Sequence, residues 1–532
     1  MPDNNTGVDQ RGRRLTLAAC CFSVFMVTLD STIVNVGLPT IQRQLGSSLS
    51  GLQWVVDAYV LVLAVLLMSS GAAGDRLGRR RVFQTGLVIF TVGSLLCSLA
   101  PTLTTLVAFR AFQAVGASML LPTTLSIIAN TYTDPRERAG AIGIWAGISG
   151  LSIAAGPVLG GLLVDSLGWE SIFWVNIPIG IVAFAMAGRY IRESRAPRSR
   201  RFDARGQMLS IAFLALLTYA LIEGPTHGWG SGLIVGLFIV SAGALAGFVV
   251  TERHSTEPLL DLAFFRNPSF AGAAAIAMLA FVALYGFIFF NSLYLQQVRG
   301  FSAIQAGLAT LPTTGLIMFV SPFSGRLTGR RGPRIPVTLA GFAMLFGLVV
   351  LFQTTPTVDL VIPLVGYVLV GLAIGLINPP VTNAAVAGMP REQAGVASAV
   401  TGASRQVGAV LGVALVGSVV RTHFAAALPA KLKGLHLSPA IQSHLLAANH
   451  GGSPTVPTGP HNGMTTLIAQ AVGTAFTEAI HWGYAVAAAA AALIIVIGLA
   501  TMGHRRNSER NAGMAADTMT SADVRAIDTA TR

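Results

Sequence analysis

The chain has 532 residues, of which 53% are hydrophobic and 11% charged, with a formal net charge of +13. A soluble globular chain carries about 25% charged residues, so this composition excludes a water-soluble protein and implies an integral membrane one. The basic excess sits in short arginine-rich stretches between apolar runs, which is the pattern of membrane topology and excludes a nucleic-acid-binding face.

Taking about 20 apolar residues per span, the chain predicts 14 helices. They lie at 15–38, 51–73, 82–100, 103–129, 138–164, 172–191, 206–224, 232–251, 270–295, 302–325, 335–353, 359–386, 393–420 and 479–502. The predicted organisation is an all-α membrane protein: a tail (1–14), a six-helix bundle (15–191), a basic linker with two central spans (192–269) and a second six-helix bundle (270–502). A long outer loop is expected at 421–466 and a disordered tail at 503–532. Arg11, Arg13 and Arg14 precede the first run as they would in a secretory signal, but the run is too long and has no convincing cleavage site, so it reads as a retained span. Arginines cluster in every second loop, around Arg76–Arg81, Arg136–Arg138, 192–205, 253–266, 326–334 and Arg391, and again after the last span. That face is expected to be cytoplasmic, with both termini on it.

The sequence contains a repeat. Residues 71–81 read GAAGDRLGRRR after span two, and residues 325–334 read GRLTGRRGPR after span ten. Gly71, Arg76, Gly78 and Arg80 align with Gly325, Arg330, Gly332 and Arg334. Duplicated halves with a site between them are a recurring transporter architecture.

Charged residues inside the spans are the functional candidates, because an aspartate at a bilayer centre costs about 2.5–3.5 kcal/mol on insertion scales. Asp30 in LDSTIVNVGLP is predicted about 12 Å deep from the outer side, with Asp57 of span two and Arg110 of span four at similar depth. An arginine facing carboxylates across a cavity is tolerated, and a carboxylate balanced between burial and that charge can load and release a proton. Competing readings are an outer helix end for Asp30 or Asp57 and a structural ion pair for Arg110. Span five holds GISGLSIAAGPVLGG at 147–161, where Gly147, Gly156, Gly160 and Gly161 allow close helix contact and Pro157 bends the helix; a plain packing face is the alternative. Asp75 stands among arginines as a topogenic charge or as an interdomain latch. Asn35, Trp54, Gln113, Asn291, Asn378 and Arg405 are candidate cavity residues; for Arg405 a packing ion pair competes with contact to anionic groups.

Other chemistries lack their residues. Cys20, Cys21 and Cys97 have no metal or disulfide spacing, the nine histidines are scattered, and the only lysines, Lys431 and Lys433, close no phosphate-binding loop. No nucleophile–base constellation predicts an enzyme.

These residues together resemble a known family. The stretch 71–81 resembles the G-x-x-x-D-R-x-G-R-[KR] loop of the major facilitator superfamily, and 147–161 its fifth-helix antiporter motif. Arg110 with Gln113 resembles the fourth-helix arginine motif, though Ala114 stands where glycine is usual. LDSTIVNVGLP, QWVVDAY and IFWVNIPIG (172–180) are similar to the 14-span drug:proton antiporter branch, the EmrB/QacA type. The resemblance implies two six-helix bundles plus two central spans and proton-driven export by alternating access. It assigns proton coupling or cation contact to Asp30 and Asp57, relay to Arg110, gating to Asp75 and antiport direction or sealing against leak to Gly156 and Pro157. The implied partners are protons, an amphipathic drug or antibiotic and the lipid bilayer, with no cofactor beyond the proton gradient, no nucleic acid, and a monomer in the bacterial cytoplasmic membrane. An exporter or symporter of one narrow natural substrate, such as a secondary metabolite or lipid, is the alternative.

Overall fold

The computed structural model describes residues 9–195, 203–255, 260–386, 394–435, 437–449, 454 and 463–503. The polar tail from residue 504 on, the first eight residues and Arg391 lie outside them.

Among the described residues all regular structure is helical, and 14 helices are long and apolar enough to cross a membrane. The first bundle comprises α1 (Asp9–Leu45), α2 (Leu49–Leu77), α3 (Arg79–Ser98), α4 (Leu103–Thr131), α5 (Pro135–Leu167), and a sixth span built from α6 (Ser171–Trp174) and α7 (Asn176–Tyr190). Two further spans follow, α8 (Ala204–His227) and α9 (Gly232–His254). The second bundle holds α10 (Pro268–Leu293), α11 (Ala303–Arg331), α12 (Arg334–Leu351), α13 (Val361–Val386), α14 (Ala394–Lys433) and α16 (Gly463–Thr501), with the short α15 (Pro439–Asn449) before the last. A π-helical turn, Tyr294–Val298, extends α10.

Local chemistry starts and stops these helices. Ser48, Asp134, Asp203, Ser231 and Asn267 cap helix N-termini with their side-chain oxygens, and Thr102 and Ser302 form capping boxes with Thr105 and Gln305. The repeat noted in the sequence marks equivalent turns: α2 ends at Gly78 (φ 116°) and α11 at Gly332 (φ 80°), left-handed positions that glycine takes without a Cβ penalty.

Three predicted boundaries are corrected. α1 does not stop before Pro39 but runs through it to Leu45. Proline leaves the carbonyl four residues back without its amide partner; here the Ser292 hydroxyl of α10 donates to that Asn35 carbonyl at 2.6 Å, and Gln296 donates to the next, Val36, at 2.9 Å. The expected outer loop 421–466 is largely helix, because Phe424, Leu428 and Leu432 recur at helical spacing and are buried. Phe424 packs edge-on against Phe476, so α16 begins well before the predicted 479.

Within each bundle, matching helices pack together: α1 with α5 and α7, α3 with α4, and, correspondingly, α10 with α14 and α16, α12 with α13. The bundles meet through α5 with α11 and α2 with α14, while α8 lies against both α2 and α14. Glycine permits the closest approach: a Cβ at Gly116 would sit 2.6 Å from the Gly86 carbonyl oxygen.

Candidate functional site between and behind the bundles

Asp30 sits on α1 with no solvent exposure, and Arg110 on α4 with 1%. They meet directly: Arg110 Nη1 donates to Asp30 Oδ2 at 2.6 Å and to Gln113 Oε1 at 2.8 Å, while Nε reaches the Val55 carbonyl at 3.3 Å. Gln113 Nε2 and Asn176 Nδ2 donate to the other oxygen, Asp30 Oδ1, at 3.0 and 3.1 Å. Asn176 is itself held by Ser94 at 3.0 Å. The guanidinium lies 4.0 Å from the Tyr59 ring centroid and 5.7 Å from that of Phe173. Every charge in the cluster therefore has a partner, which is what a buried ion pair requires. Asn176, Ser94 and Tyr59 were not candidates from sequence. A polar asparagine interrupting the apolar run IFWVNIPIG was one available signal and the stretch QWVVDAY, which ends at Tyr59, another; Ser94 gave none.

Two placements correct the sequence reading. Arg110 does not face carboxylates across a cavity but closes on Asp30 with no space between them. Asp57 does not join them: it is fully buried on α2, and among the described residues neither carboxyl oxygen has a hydrogen-bond partner. Neither aspartate is a helix end, since α1 continues to Leu45 and α2 begins at Leu49.

A cavity of about 1160 Å³ lies between the bundles. Asn35, Asn291, Asn378 and Arg405 line it, as do Pro157, Gly71 and Asp75. Asp30, Asp57 and Arg110 do not. Trp54 does not line it either, because its indole donates to Glu223 of α8 at 3.3 Å, and Gln113 belongs to the buried cluster. Asp75 bonds Arg79 at 2.8 and 3.0 Å inside its own bundle, not across the interface as a latch would. Arg76 is exposed; Arg80 donates to the Gly188 carbonyl at 2.7 Å; Gly78 leaves room for Glu193, which accepts from the Arg80 amide at 3.1 Å.

The cavity is shut at one end. Asp165, at the end of α5, accepts the Ala303 and Ile304 amides at 3.1 and 2.9 Å, capping α11 from the other bundle. Gly161 and Gly307 make the crossing possible: a Cβ on Gly161 would lie 2.5 Å from the Ile304 Cα, and one on Gly307 would strike the Pro157 carbonyl. Gly156 and Gly160 are packed as tightly against Thr32 and Ile33 of α1. Farther along the same face of α5, a Cβ on Gly147 or Gly150 would meet nothing within 4 Å among the described residues, and neither would one on Gly315 of α11. The two helices touch at the Asp165 end and separate toward the arginine-rich end, where Asp75 and Asp203 border the cavity.

Comparisons with known proteins agree with this architecture. A family model described as the Major Facilitator Superfamily matches residues 20–413. The chain is 40% identical over 438 residues to the multidrug resistance protein Stp of Mycobacterium tuberculosis, covering 82% of this chain and 81% of that one. It is 35% identical over 501 residues to the tetracenomycin C resistance and export protein of Streptomyces glaucescens, covering 91% of each, and 38% identical over 415 residues to the methylenomycin A resistance protein of Streptomyces coelicolor, covering 77% and 86%. Among solved structures, an inward-facing, unoccupied bacterial homologue of the human lysosomal transporter Spinster superposes with a TM-score of 0.65 at 17% identity, covering 93% of this chain and 99% of that one, which shows a shared fold. The chain belongs to the Major Facilitator Superfamily and is a multi-pass membrane protein.

Proposed function

We propose that the protein is a proton-coupled antiporter that exports amphipathic compounds, drugs and antibiotics among them, by alternating access. The observation that carries this reading is a sealed carboxylate–guanidinium pair, Asp30–Arg110, set behind a cavity that is closed at one end and open at the other. By the positive-inside bias the open, arginine-rich end is cytoplasmic, in the bacterial cytoplasmic membrane, with both termini on that side. The names of the curated relatives, a multidrug resistance protein and antibiotic resistance proteins, support the substrate class.

In this reading the cavity loads substrate from the cytoplasm or inner leaflet, and rocking of the bundles breaks the Asp165–α11 cap to open the opposite end. Asp30 exchanges partners through the cycle, Arg110 in this state and a proton in the other. Among the described residues Asp57 has no such counter-charge, and holding an unpaired charge there would cost several kcal/mol. The proton gradient alone drives the cycle, with no cofactor, no nucleic acid and a single chain as the working unit.

Inverted membrane vesicles with an acidic lumen test this. Addition of fluorescent amphiphiles of each charge is expected to give uptake with simultaneous proton release, both lost when the gradient is collapsed. Uptake that persists without a gradient would remove proton coupling from the account.

A further inference from the structure

The cavity wall is charged differently from the cluster behind it. Its acids, Asp75 and Asp203, stand at the arginine-rich entrance. Asp75 is held by Arg79, and Asp203 receives the Gly206 amide at 2.9 Å on one oxygen while its other has no hydrogen-bond partner among the described residues. Farther in, Arg405 of α14 lies about 16 Å along the helix from Ala394. Its Nη2 donates to Thr382 Oγ1 at 2.8 Å, and among the described residues no carboxylate pairs with it. Asn378 and Gln406 line the same cavity, and its apolar lining includes Phe281, Tyr285 and Ile288 of the neighbouring α10. A guanidinium has five donors in a planar fork shaped for a carboxylate. A cation placed within a bundle without a counter-charge marks a substrate path.

We infer that Arg405 is the head-group site of the cavity, and that it takes amphiphiles bearing a carboxylate or another deprotonated acid, with the apolar body against the aromatic wall. This rests on the export reading and narrows it: among the described residues, the acids that would attract a cation are either buried away from the cavity or confined to its entrance.

The full-length protein in phosphatidylcholine nanodiscs allows binding to be measured without transport. The probes are two dansyl-labelled alkyl chains of equal length, one ending in carboxylate and one in trimethylammonium. The carboxylate probe is expected to bind at least about tenfold more tightly, as a charge-assisted bidentate contact provides. Arg405→Gln is expected to erase that preference by weakening the carboxylate probe and leaving the ammonium probe unchanged, while Arg405→Lys retains part of it. Equal or reversed preference in the wild type, or a preference that survives Arg405→Gln in protein that elutes and melts normally, would overturn the inference. Should Arg405→Gln not fold, the wild-type ratio decides alone. The export reading is judged separately by proton-linked uptake in vesicles: a protein that exports cations in that assay and binds no carboxylate loses only this inference.

Discussion

The two bundles place different chemistry at corresponding positions. Arg110 is the eighth residue of α4 and Tyr367 the seventh of α13, and each reaches a polar residue late in the first helix of its own bundle. In the first bundle that residue is Asp30, giving an ion pair with no solvent exposure; in the second it is Asn291, whose side-chain oxygen accepts the Tyr367 hydroxyl. Asp30 is hidden from the cavity whereas Asn291 lines it. Duplication supplied one scaffold twice. One copy holds charge in a dry cluster with Gln113 and Asn176, and the other presents a neutral hydrogen bond to the cavity. Opening a neutral hydrogen bond costs about 0.5–1.5 kcal/mol, while stripping one partner from a buried ion pair costs about 3–5 kcal/mol. In the antiport reading proposed above, work coupled to a gradient falls to the first bundle and adaptable contact with cargo to the second.

The sharpest way to break this division is to remove the charge. Asp30→Asn keeps the shape of the side chain but leaves Arg110 without its counter-ion, and it is expected to reduce gradient-driven transport by about 100-fold or more, with the protein still inserted. Vesicle uptake with a simultaneous pH reading checks this. Arg110→Lys is expected to be nearly as severe, since one ammonium cannot serve Asp30, Gln113 and the Val55 carbonyl while lying flat on Tyr59. Transport close to wild type in that variant would sink the relay role. A smaller effect is expected at the crossing point of the bundles. Gly161→Leu drives a side chain into the Ile304 backbone and is expected to lower turnover about tenfold by destabilising the end capped by Asp165. The readout is labelling of single cysteines introduced at that end, which should become more accessible.

How far the sequence carried the argument depended on the kind of residue. Long apolar runs located every span, and the depths of Asp30 and Arg110 brought the pair together, because charged residues stand out in an apolar background. The course of α1 past Pro39 was hidden because what sustains it is a hydroxyl 257 residues away, Ser292 donating to the Asn35 carbonyl. Asn176 and Tyr59 complete the ion-pair site but are neutral, and although both lie in stretches that stand out in the sequence, nothing there ties a neutral side chain to a charge on another helix. Asp57 was grouped with Arg110 by depth and by the resemblance of QWVVDAY, and neither fixes the side of the helix from which a side chain projects.

Tyr367→Phe probes the neutral half. It removes the hydroxyl that Asn291 accepts and keeps the ring packed 5.4 Å from Phe287. About 1 kcal/mol of stability is expected to be lost, with proton coupling intact and substrate preference altered, because Asn291 is then free to turn toward the cargo. Thermal melting and a substrate panel in vesicles check it; loss of coupling would mean that the second bundle shares the proton work.

The smallest effect is expected at the arginine-rich turn, where the bundles also differ: Asp75 in the first is matched by Gly329 in the second. Asp75 and Arg79 are partly exposed, their side chains 37% and 18% accessible, and exposed pairs contribute about 0–1 kcal/mol. Asp75→Asn is therefore expected to change the melting temperature little. The carboxylate borders the cavity entrance where α5 and α11 stand apart, and in the alternating-access reading proposed above closing that end brings it against the other bundle. Turnover should fall by a factor of about two to three while substrate binding to the open state is unchanged, an asymmetry that a purely local ion pair would not produce. Unchanged turnover would reduce Asp75 to one more charge that sets topology, and would leave the difference between the bundles entirely to the Asp30–Arg110 and Asn291–Tyr367 pairs.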